Sequence, residues 1–527
     1  KPFLLVSKMF WDVSKMYKVP VRGKEMVLQG FLNVLQPMTL LLVILGTAWG
    51  LTAGALPGLS ASMAVILMLP FTYGMEAIQS VVVLVSVYVG AMCGGSISAI
   101  LLKTPGTPSS VATTFDGYPM AMRGEAPKAL GLSITASSFG GIFSGLIMVV
   151  CAPILATWAM KFQSAEFFAL SLLGLSCIAS IGNEQPIKAL LSACLGLLIS
   201  TVGLDAISGA ERFTFGQQFL MNGIDYIPVM IGAYAVAEVY RNVMKNKMTA
   251  SEQEGGKGGK VKAEIIGISN IIKHWKTYLK SSVIGTIVGI IPAAGGSIAA
   301  LISYSEAVRS SKHPEKFGKG AEEGIIASEA ANNGAVGGSL VPTLVLGIPG
   351  GNVAAILLAA FTMHGLIPGP MLLRNQPDML YSILIGMVLA SLLLFVLGIF
   401  VAKQFSRLVT LPYPFLATII VTLGVVGSYS LKNSMTDVFV MFAFSFVGYF
   451  FDKYHYSTSA MILGIILGKI AENGLRKQLI VSGGDFTTFF TRPLCLVIFI
   501  VSIISFITPY YRAHKEKKRQ EMNAQQK

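Results

Sequence analysis

Charge is scarce in this chain. Lys and Arg number 40 and Asp and Glu 26 among 527 residues, or 13%, against roughly 25% in soluble proteins. A soluble globule of this length needs a far more charged surface, and a hydrophobic content of 53% excludes disorder as well. Cysteine and histidine are scarce too, at five each. Cys93, Cys151, Cys177, Cys194 and Cys495 lie in apolar stretches without a CxxC pair and read as small buried hydrophobes. His274, His313, His364, His455 and His514 are scattered with no HExxH, so no metal-ligand spacing emerges. GxSxG is missing, which leaves an intramembrane hydrolase without its nucleophile and base. GxxxxGK[ST] is missing, which argues against an ATP-driven pump. What is left is an integral membrane protein with no enzyme signature and no expected metal or organic cofactor.

The net charge of +14 is confined to three places. Residues 1–25, 241–280 and 512–527 carry excesses of +4, +6 and +4, and the remainder is neutral as a set. A nucleic-acid surface interleaves basic residues with aromatics on one folded face. Here the excess flanks apolar segments, as the positive-inside pattern requires. Both termini and the linker are therefore expected on the cytoplasmic side. The first 25 residues lack the apolar core and small-residue cleavage site of a secretory signal, and Met26 opens the first apolar run.

Apolar stretches recur from 27–51 to 493–510. Some approach the ~20 residues that span ~30 Å of hydrocarbon as a helix; others are short or broken by Pro and Gly. Backbone groups in lipid must be satisfied internally, so these continuous runs mean helices rather than a barrel. We expect an all-α polytopic membrane protein with about 12 transmembrane helices plus re-entrant or broken ones. The divisions are a basic extension (1–25), a first transmembrane half (26–244), a Gly/Lys-rich cytoplasmic linker (245–276), a second half (277–511) and a basic cytoplasmic tail (512–527).

Each half carries the same breaker motifs in the same order. The first has Pro57-Gly58-Leu59-Ser60, then Gly94-Gly95-Ser96, then Thr104-Pro105-Gly106. The second has Pro292-Ala293-Ala294-Gly295-Gly296-Ser297, then Gly337-Gly338-Ser339, then Ile348-Pro349-Gly350. Broken helices at matching places in two halves point to a secondary transporter's binding site. The end of a broken helix presents free N–H groups and roughly +0.5 of a charge, enough to hold a carboxylate without a buried cation. Two structural repeats, inverted and moving in an elevator-like way, are the expected architecture. Residues 281–304 are long enough to span once, but Pro292 and Gly295-Gly296 interrupt them and basic residues flank both ends. A re-entrant hairpin fits if both flanks are cytoplasmic; a kinked ordinary helix is the alternative.

Glu329, Asn332 and Asn333 fall at i, i+3 and i+4, on one helical face. Asn suits a cation or a carboxylate, but it also makes ordinary interhelical hydrogen bonds. Polar groups at membrane depth are rare and usually functional. Glu329 reads either as a carrier of the coupling proton or as a cap of the helix that follows the soluble loop. Prolines and glycines in 104–128 exclude a long helix, Asp116-Gly117 reads as a turn, and Asp116, Arg123, Glu125 and Lys128 place the latter part in water. Lys103 ends an apolar run and either snorkels or attracts an anion.

These motifs resemble the large membrane subunit of the tripartite tricarboxylate transporter family. The resemblance runs over roughly residues 27–510. It includes Asp116-Gly117-Tyr118-Pro119, Gly203-Leu204-Asp205, Arg212-Phe213-Thr214-Phe215-Gly216, Phe317-Gly318-Lys319-Gly320, Glu329-Ala330-Ala331-Asn332-Asn333 and Pro368-Gly369-Pro370. It implies a multi-pass permease of the bacterial inner membrane, working with a small four-helix membrane subunit and a periplasmic solute-binding protein. It also implies uptake of citrate-like or related organic carboxylates, driven by an ion gradient (Na⁺ or H⁺); an exporter or channel for organic anions on the same scaffold is the alternative.

The expected substrate-binding positions are Pro57, Gly58, Ser60, Gly95, Ser96, Pro105, Gly106, Thr107, Gly295, Gly296, Ser297, Gly338, Ser339, Pro349, Gly350 and Asn352. Those expected for ion coupling are Glu329, Asn332, Asn333 and Thr343.

Overall fold

The computed structural model describes residues 21–56, 59–159, 162–176, 186–205, 207–244, 263–266, 268–291, 295–369, 372–408, 413–504 and 506. The first helices are α1 (Val21–Leu35), α2 (Pro37–Ala55), α3 (Ala61–Thr72), α4 (Ala77–Leu102), α5 (Val111–Met120) and α6 (Ala126–Ala159). Then come α7 (Ser164–Ser176), α8 (Pro186–Ser200), α9 (Tyr226–Met230) and α10 (Ala237–Met244). The third group is α11 (Ile268–Lys273), α12 (Trp275–Ile290), α13 (Gly295–Ser310), α14 (Glu322–Val341) and α15 (Asn352–Met363). The chain continues through α16 (Leu372–Asn375), α17 (Pro377–Leu408), α18 (Tyr413–Ser430), α19 (Met435–Lys453), α20 (Thr458–Val481) and α21 (Thr488–Thr491). Among the described residues the only sheet is the two-residue antiparallel ladder of β1 (Gly203–Leu204) with β2 (Glu211–Arg212).

Among the described residues, five helical stretches are long and apolar enough to cross a membrane: Pro37–Ala55, Ala77–Leu102, Pro108–Ala152, Pro377–Gln404 and Met435–Lys453. Others, such as Ala61–Thr72 and Asn352–Met363, are apolar but shorter. The breakers explain the shortness. Ser60 caps α3, accepting from Met63 N at 3.3 Å, so that helix starts afresh after the Pro57 break.

Two helices form the centre. Every residue of α4 from Ser80 to Ile100 is buried, and so is every residue of α14 from Gly324 to Val341. A helix buried all round needs no amphipathic stripe; glycine and alanine serve it instead, by letting backbones approach. A Cβ on Gly50 of α2 would sit 2.2 Å from the Val87 carbonyl of α4, and one on Gly94 would sit 2.3 Å from the Leu51 carbonyl. The same device joins α12 to α14. A Cβ on Gly285 would lie 2.3 Å from the Ala331 carbonyl, and one on Gly338 2.3 Å from that of Thr286. Leu51 and Thr286 each stand six residues before a break proline, Pro57 and Pro292. The packing thus pairs Gly94 with Gly338, one residue out of step with the match of the two Gly-Gly-Ser triplets in sequence. The glycine that faces the partner helix sets the correspondence, not the triplet.

Residues 281–304 double back. Lys280, near the start of α12, forms an ion pair with Glu306 of α13, 26 positions later. A straight helix would separate them by about 39 Å at 1.5 Å per residue. The kinked-helix alternative is therefore wrong; residues 292–294 lie outside the described residues.

The reading of Asp116-Gly117 as a water-exposed turn is also wrong. Both residues belong to α5 and are buried. Asp116 accepts hydrogen bonds from the Gly320 and Ala321 N–H groups at 2.8 Å each and from Tyr304 Oη at 2.9 Å. The carboxylate thus pins the turn that leads into α14 from α5. Turn-forming residues follow tertiary need here, since Gly117 gives room for Ile100. The exposed polar bend comes later, at 121–125, where Gly124 has φ 84°.

Of the linker, residues 245–262 lie outside the described set, as do 1–20 and 507–527. Its end is structured: Glu264 N donates to the Pro127 carbonyl at 2.8 Å, and α12 already begins at Trp275.

Candidate functional site

The break after α4 and the break after α14 are built alike. Lys103 ends α4 in the left-handed conformation (φ 57°), and Gly347 ends the π-helical turn 342–346 after α14 in the same way (φ 70°). In each case Pro-Gly follows two residues later. The first glycine, Gly106, donates its N–H to the Gly95 carbonyl at 3.2 Å. The second, Gly350, donates to Thr343 Oγ1 at 3.3 Å and presses on Ser339, whose Cα would lie 2.6 Å from an added Cβ. Gly95 with Gly106 and Ser339 with Gly350 are equally spaced in sequence. Lys103 keeps its ammonium over the Tyr118 ring at 5.6 Å and is exposed, which is the snorkelling arrangement.

Three helix starts gather between these breaks. Thr107 caps the 108–110 turn that leads into α5, with Thr107 Oγ1 3.0 Å from Ser109 Oγ and 3.2 Å from Ser110 Oγ. α13 starts at Gly295, whose φ of 64° suits glycine. A Cβ on its neighbour Gly296 would meet Met92 Cε at 2.7 Å, Asn332 Oδ1 at 2.8 Å and Ser109 Cβ at 3.3 Å. α15 starts at Asn352, and Gly351 before it lies against Gly295. The first N–H groups of a helix have no partner within it and carry partial positive charge.

Asn332 stands at this meeting point and is fully buried. Its Nδ2 donates to the Met92 carbonyl at 3.1 Å, while its Oδ1 has no hydrogen-bond partner. Asn333 repeats the arrangement: Nδ2 donates to the Val89 carbonyl at 3.3 Å, and Oδ1 is unpartnered. A buried acceptor left unsatisfied costs about 1–3 kcal/mol. Asn332 Oδ1 lies beside the start of α13, against Gly296, so an acceptor that suits a cation adjoins donors that suit an anion.

Glu329 lies about one turn towards the start of α14, also fully buried. It accepts from Thr113 Oγ1 and from Ser137 Oγ at 2.9 Å. Glu329 lies inside α14 rather than at its start and its partners are on α5 and α6, so the reading of it as that helix's cap is overturned.

The structure therefore brings together Gly106, Thr107, Gly295, Gly296, Gly350, Asn332 and Ser339, with Gly95 beneath Thr107. Pro105 and Pro349 lie in the turns just before Gly106 and Gly350. Other expected residues face elsewhere. Ser96 Oγ donates to the Cys93 carbonyl at 2.7 Å and lies 2.5 Å from Ser133 Oγ on α6. Gly338 serves the α12–α14 crossing. Thr343 is already engaged, donating to the Ser339 carbonyl at 2.6 Å while it accepts from Gly350. Ser60 is a cap, Asn352 is exposed, and Ser297 is half-buried in the first turn of α13. Pro57 and Gly58 lie outside the described residues. Sequence reasoning missed Tyr88, whose Oη is 3.4 Å from Ser339 Oγ, and Met92 and Ser109. Only the rarity of a tyrosine in the apolar run 78–102 could have marked the first.

The chain is 33% identical over 501 residues to an uncharacterised 52.8 kDa protein of the TAR-I ttuC' 3' region of Agrobacterium vitis, covering 93% of this chain and 97% of that one. It is 34% identical over 236 residues to an uncharacterised protein of the TAR-II ttuC' 3' region of the same organism, covering 44% of this chain and 98% of that one. No solved structure matches. The model of the tripartite tricarboxylate transporter TctA family matches residues 40–463, and the chain belongs to that family of membrane transport components.

Proposed function

We propose that this chain is the permease of a binding-protein-dependent tripartite transporter, taking a tricarboxylate or related organic carboxylate into the bacterial cell by symport with Na⁺ or H⁺. The unpartnered Asn332 Oδ1 among three helix starts carries this reading. Helix starts provide for the carboxylate without a fixed buried cation. The orphaned amide oxygen provides for the coupling ion, with Asn333 Oδ1 as a second acceptor and Glu329 as the group that would hold a proton if H⁺ is the driver. Thr343 braces the 347–351 turn rather than binding the ion.

Both termini and the 245–262 linker face the cytoplasm in this account, as their basic character requires. The α2–α3 and α12–α13 pairs are re-entrant hairpins of two inverted repeats, within a membrane domain of about 12 crossings. Alternating access follows from an elevator-like shift of the hairpins with α4 and α14. The partners are a small four-helix membrane subunit and a periplasmic solute-binding protein.

The test is uptake of radiolabelled di- and tricarboxylates into proteoliposomes, with Na⁺ and pH gradients imposed separately and the binding protein present. Accumulation driven by one gradient supports the proposal. Failure to concentrate any organic anion under all these conditions refutes it.

A further inference from the structure

The motif Gly203 to Gly223 takes no part in the Asn332 site, yet it frames a cavity of about 160 Å³ with α20. Lys469, Asn473, Arg476 and Arg212 line it, and Asn473 also lines an adjoining cavity of about 590 Å³ that reaches Lys477, Gln163 and Ser164. The loop is held firmly. Asp205 accepts from the Ile207 and Ser208 N–H groups at 2.9 and 2.7 Å and from Arg476, while Arg212 forks onto Glu472 at 2.5 and 3.3 Å.

That network consumes its acids. Asp205 and Glu472 balance Arg212 and Arg476, and among the described residues Lys469 and Lys477 have no acidic partner. Two positive charges remain, on one face of α20 at i and i+8 with Asn473 between them. Arg212 also keeps a buried Nε–H without an acceptor. The charges that line the cavities without an acidic partner are therefore both cations, and the Asn473 amide between them adds N–H donors, which suits a small polycarboxylate.

Position gives the side. The loop runs into Asp225, which pairs with Lys432 at 3.3 Å at one end of the α9–α10 run and α19; Arg241 pairs with Asp452 at the other end, next to the basic linker. The cavities thus open opposite the linker.

We propose that they form an outer carboxylate subsite, separate from the Asn332 centre, that receives the anion on the extracytoplasmic side. This rests on the orientation and substrate class proposed above. An anionic lipid headgroup would use the same oxyanion chemistry, so the test separates the two sources.

Radiolabelled citrate is titrated onto the Asn332→Ala transporter in zwitterionic nanodiscs and in nanodiscs containing phosphatidylglycerol. The subsite predicts residual, salt-sensitive binding in both that weakens about tenfold or more when Lys469→Gln and Lys477→Gln are added, and that Lys469→Arg with Lys477→Arg retains. No residual binding, binding indifferent to the lysine changes, or displacement of citrate by the anionic lipid each overturns it. In the otherwise wild-type transporter, Lys469→Gln with Lys477→Gln should raise the uptake KM about tenfold and leave kcat in place. Gradient-driven uptake with an unchanged KM would sink the subsite alone, whereas absence of uptake by the wild type would sink the transport reading.

Discussion

Removing the Asn332 amide is the sharpest perturbation of the proposed site. Asn332→Ala deletes one hydrogen bond, Nδ2 to the Met92 carbonyl at 3.1 Å, and one unsatisfied acceptor, Oδ1. The lost bond costs about 0.5–1.5 kcal/mol, and relief of the buried orphan returns about 1–3 kcal/mol. The ion-free protein should therefore be no less stable than wild type. Binding is different, because an ion that satisfies Oδ1 gains what the orphan costs. Its loss weakens the coupling ion by about 1–3 kcal/mol, or roughly 5- to 150-fold. The assay is paired: initial uptake rate against Na⁺ and pH, and the rise in Tm that the coupling ion gives by mass action. We expect the half-saturating ion concentration to rise by that factor and the ion-induced stabilisation to vanish, with the ion-free Tm unchanged or higher. An unaltered half-saturation for both ions, or a variant that is destabilised without ion and still stabilised by it, refutes the reasoning.

Other expectations follow from the frame of the site. Gly54→Ala should destabilise the folded transporter by about 1–3 kcal/mol, because its Cβ would lie 2.2 Å from the Ala91 carbonyl, whereas Gly74→Ala meets nothing within 4 Å; thermal unfolding in detergent compares the two. Asp116→Ala leaves the Gly320 and Ala321 N–H groups and Tyr304 Oη without their acceptor and should lower stability by about 1–3 kcal/mol in the same assay. Glu306 is held down from 4.5 to about 2 by Arg309 and by Lys280. The contribution of this depressed acid is complete above its unfolded value and lost as pH falls from about 4.5 towards 2, so Glu306→Gln should flatten hairpin stability across that window in a pH series of unfolding. Cysteines at positions 280 and 312 should be labelled by an impermeant maleimide from the same side of the membrane; labelling from opposite sides contradicts the re-entrant hairpin.

Much of this was legible in the chain because breaks in apolar runs are local events. Pro292 with Gly295-Gly296 marked 281–304 as a stretch that either turns back or kinks, and the paired Pro-Gly steps marked the two turns at Gly106 and Gly350. Asn332 itself stood out because amides are rare in apolar helices. What was not legible depends on which helix lies opposite. Nothing in Ser96 says that it faces α6, and nothing in Thr343 says that its hydroxyl is spent on Gly350. Asp116-Gly117 has turn chemistry, but the free N–H groups of Gly320 and Ala321, some two hundred residues away, decide its conformation. The register of Gly94 and Gly338 likewise became visible only where the helices cross.

The central claim is that a carboxylate and its coupling ion share the centre at Asn332. Linkage makes that measurable, since an ion that strengthens carboxylate binding must itself be bound more tightly in return. Isothermal titration of the purified transporter with di- and tricarboxylates, in Na⁺-free buffer and at saturating Na⁺ across a range of pH, tests it directly. The account predicts that one ion tightens a carboxylate's Kd at least about tenfold and that Asn332→Ala abolishes this dependence. Carboxylate binding indifferent to both Na⁺ and pH would contradict it.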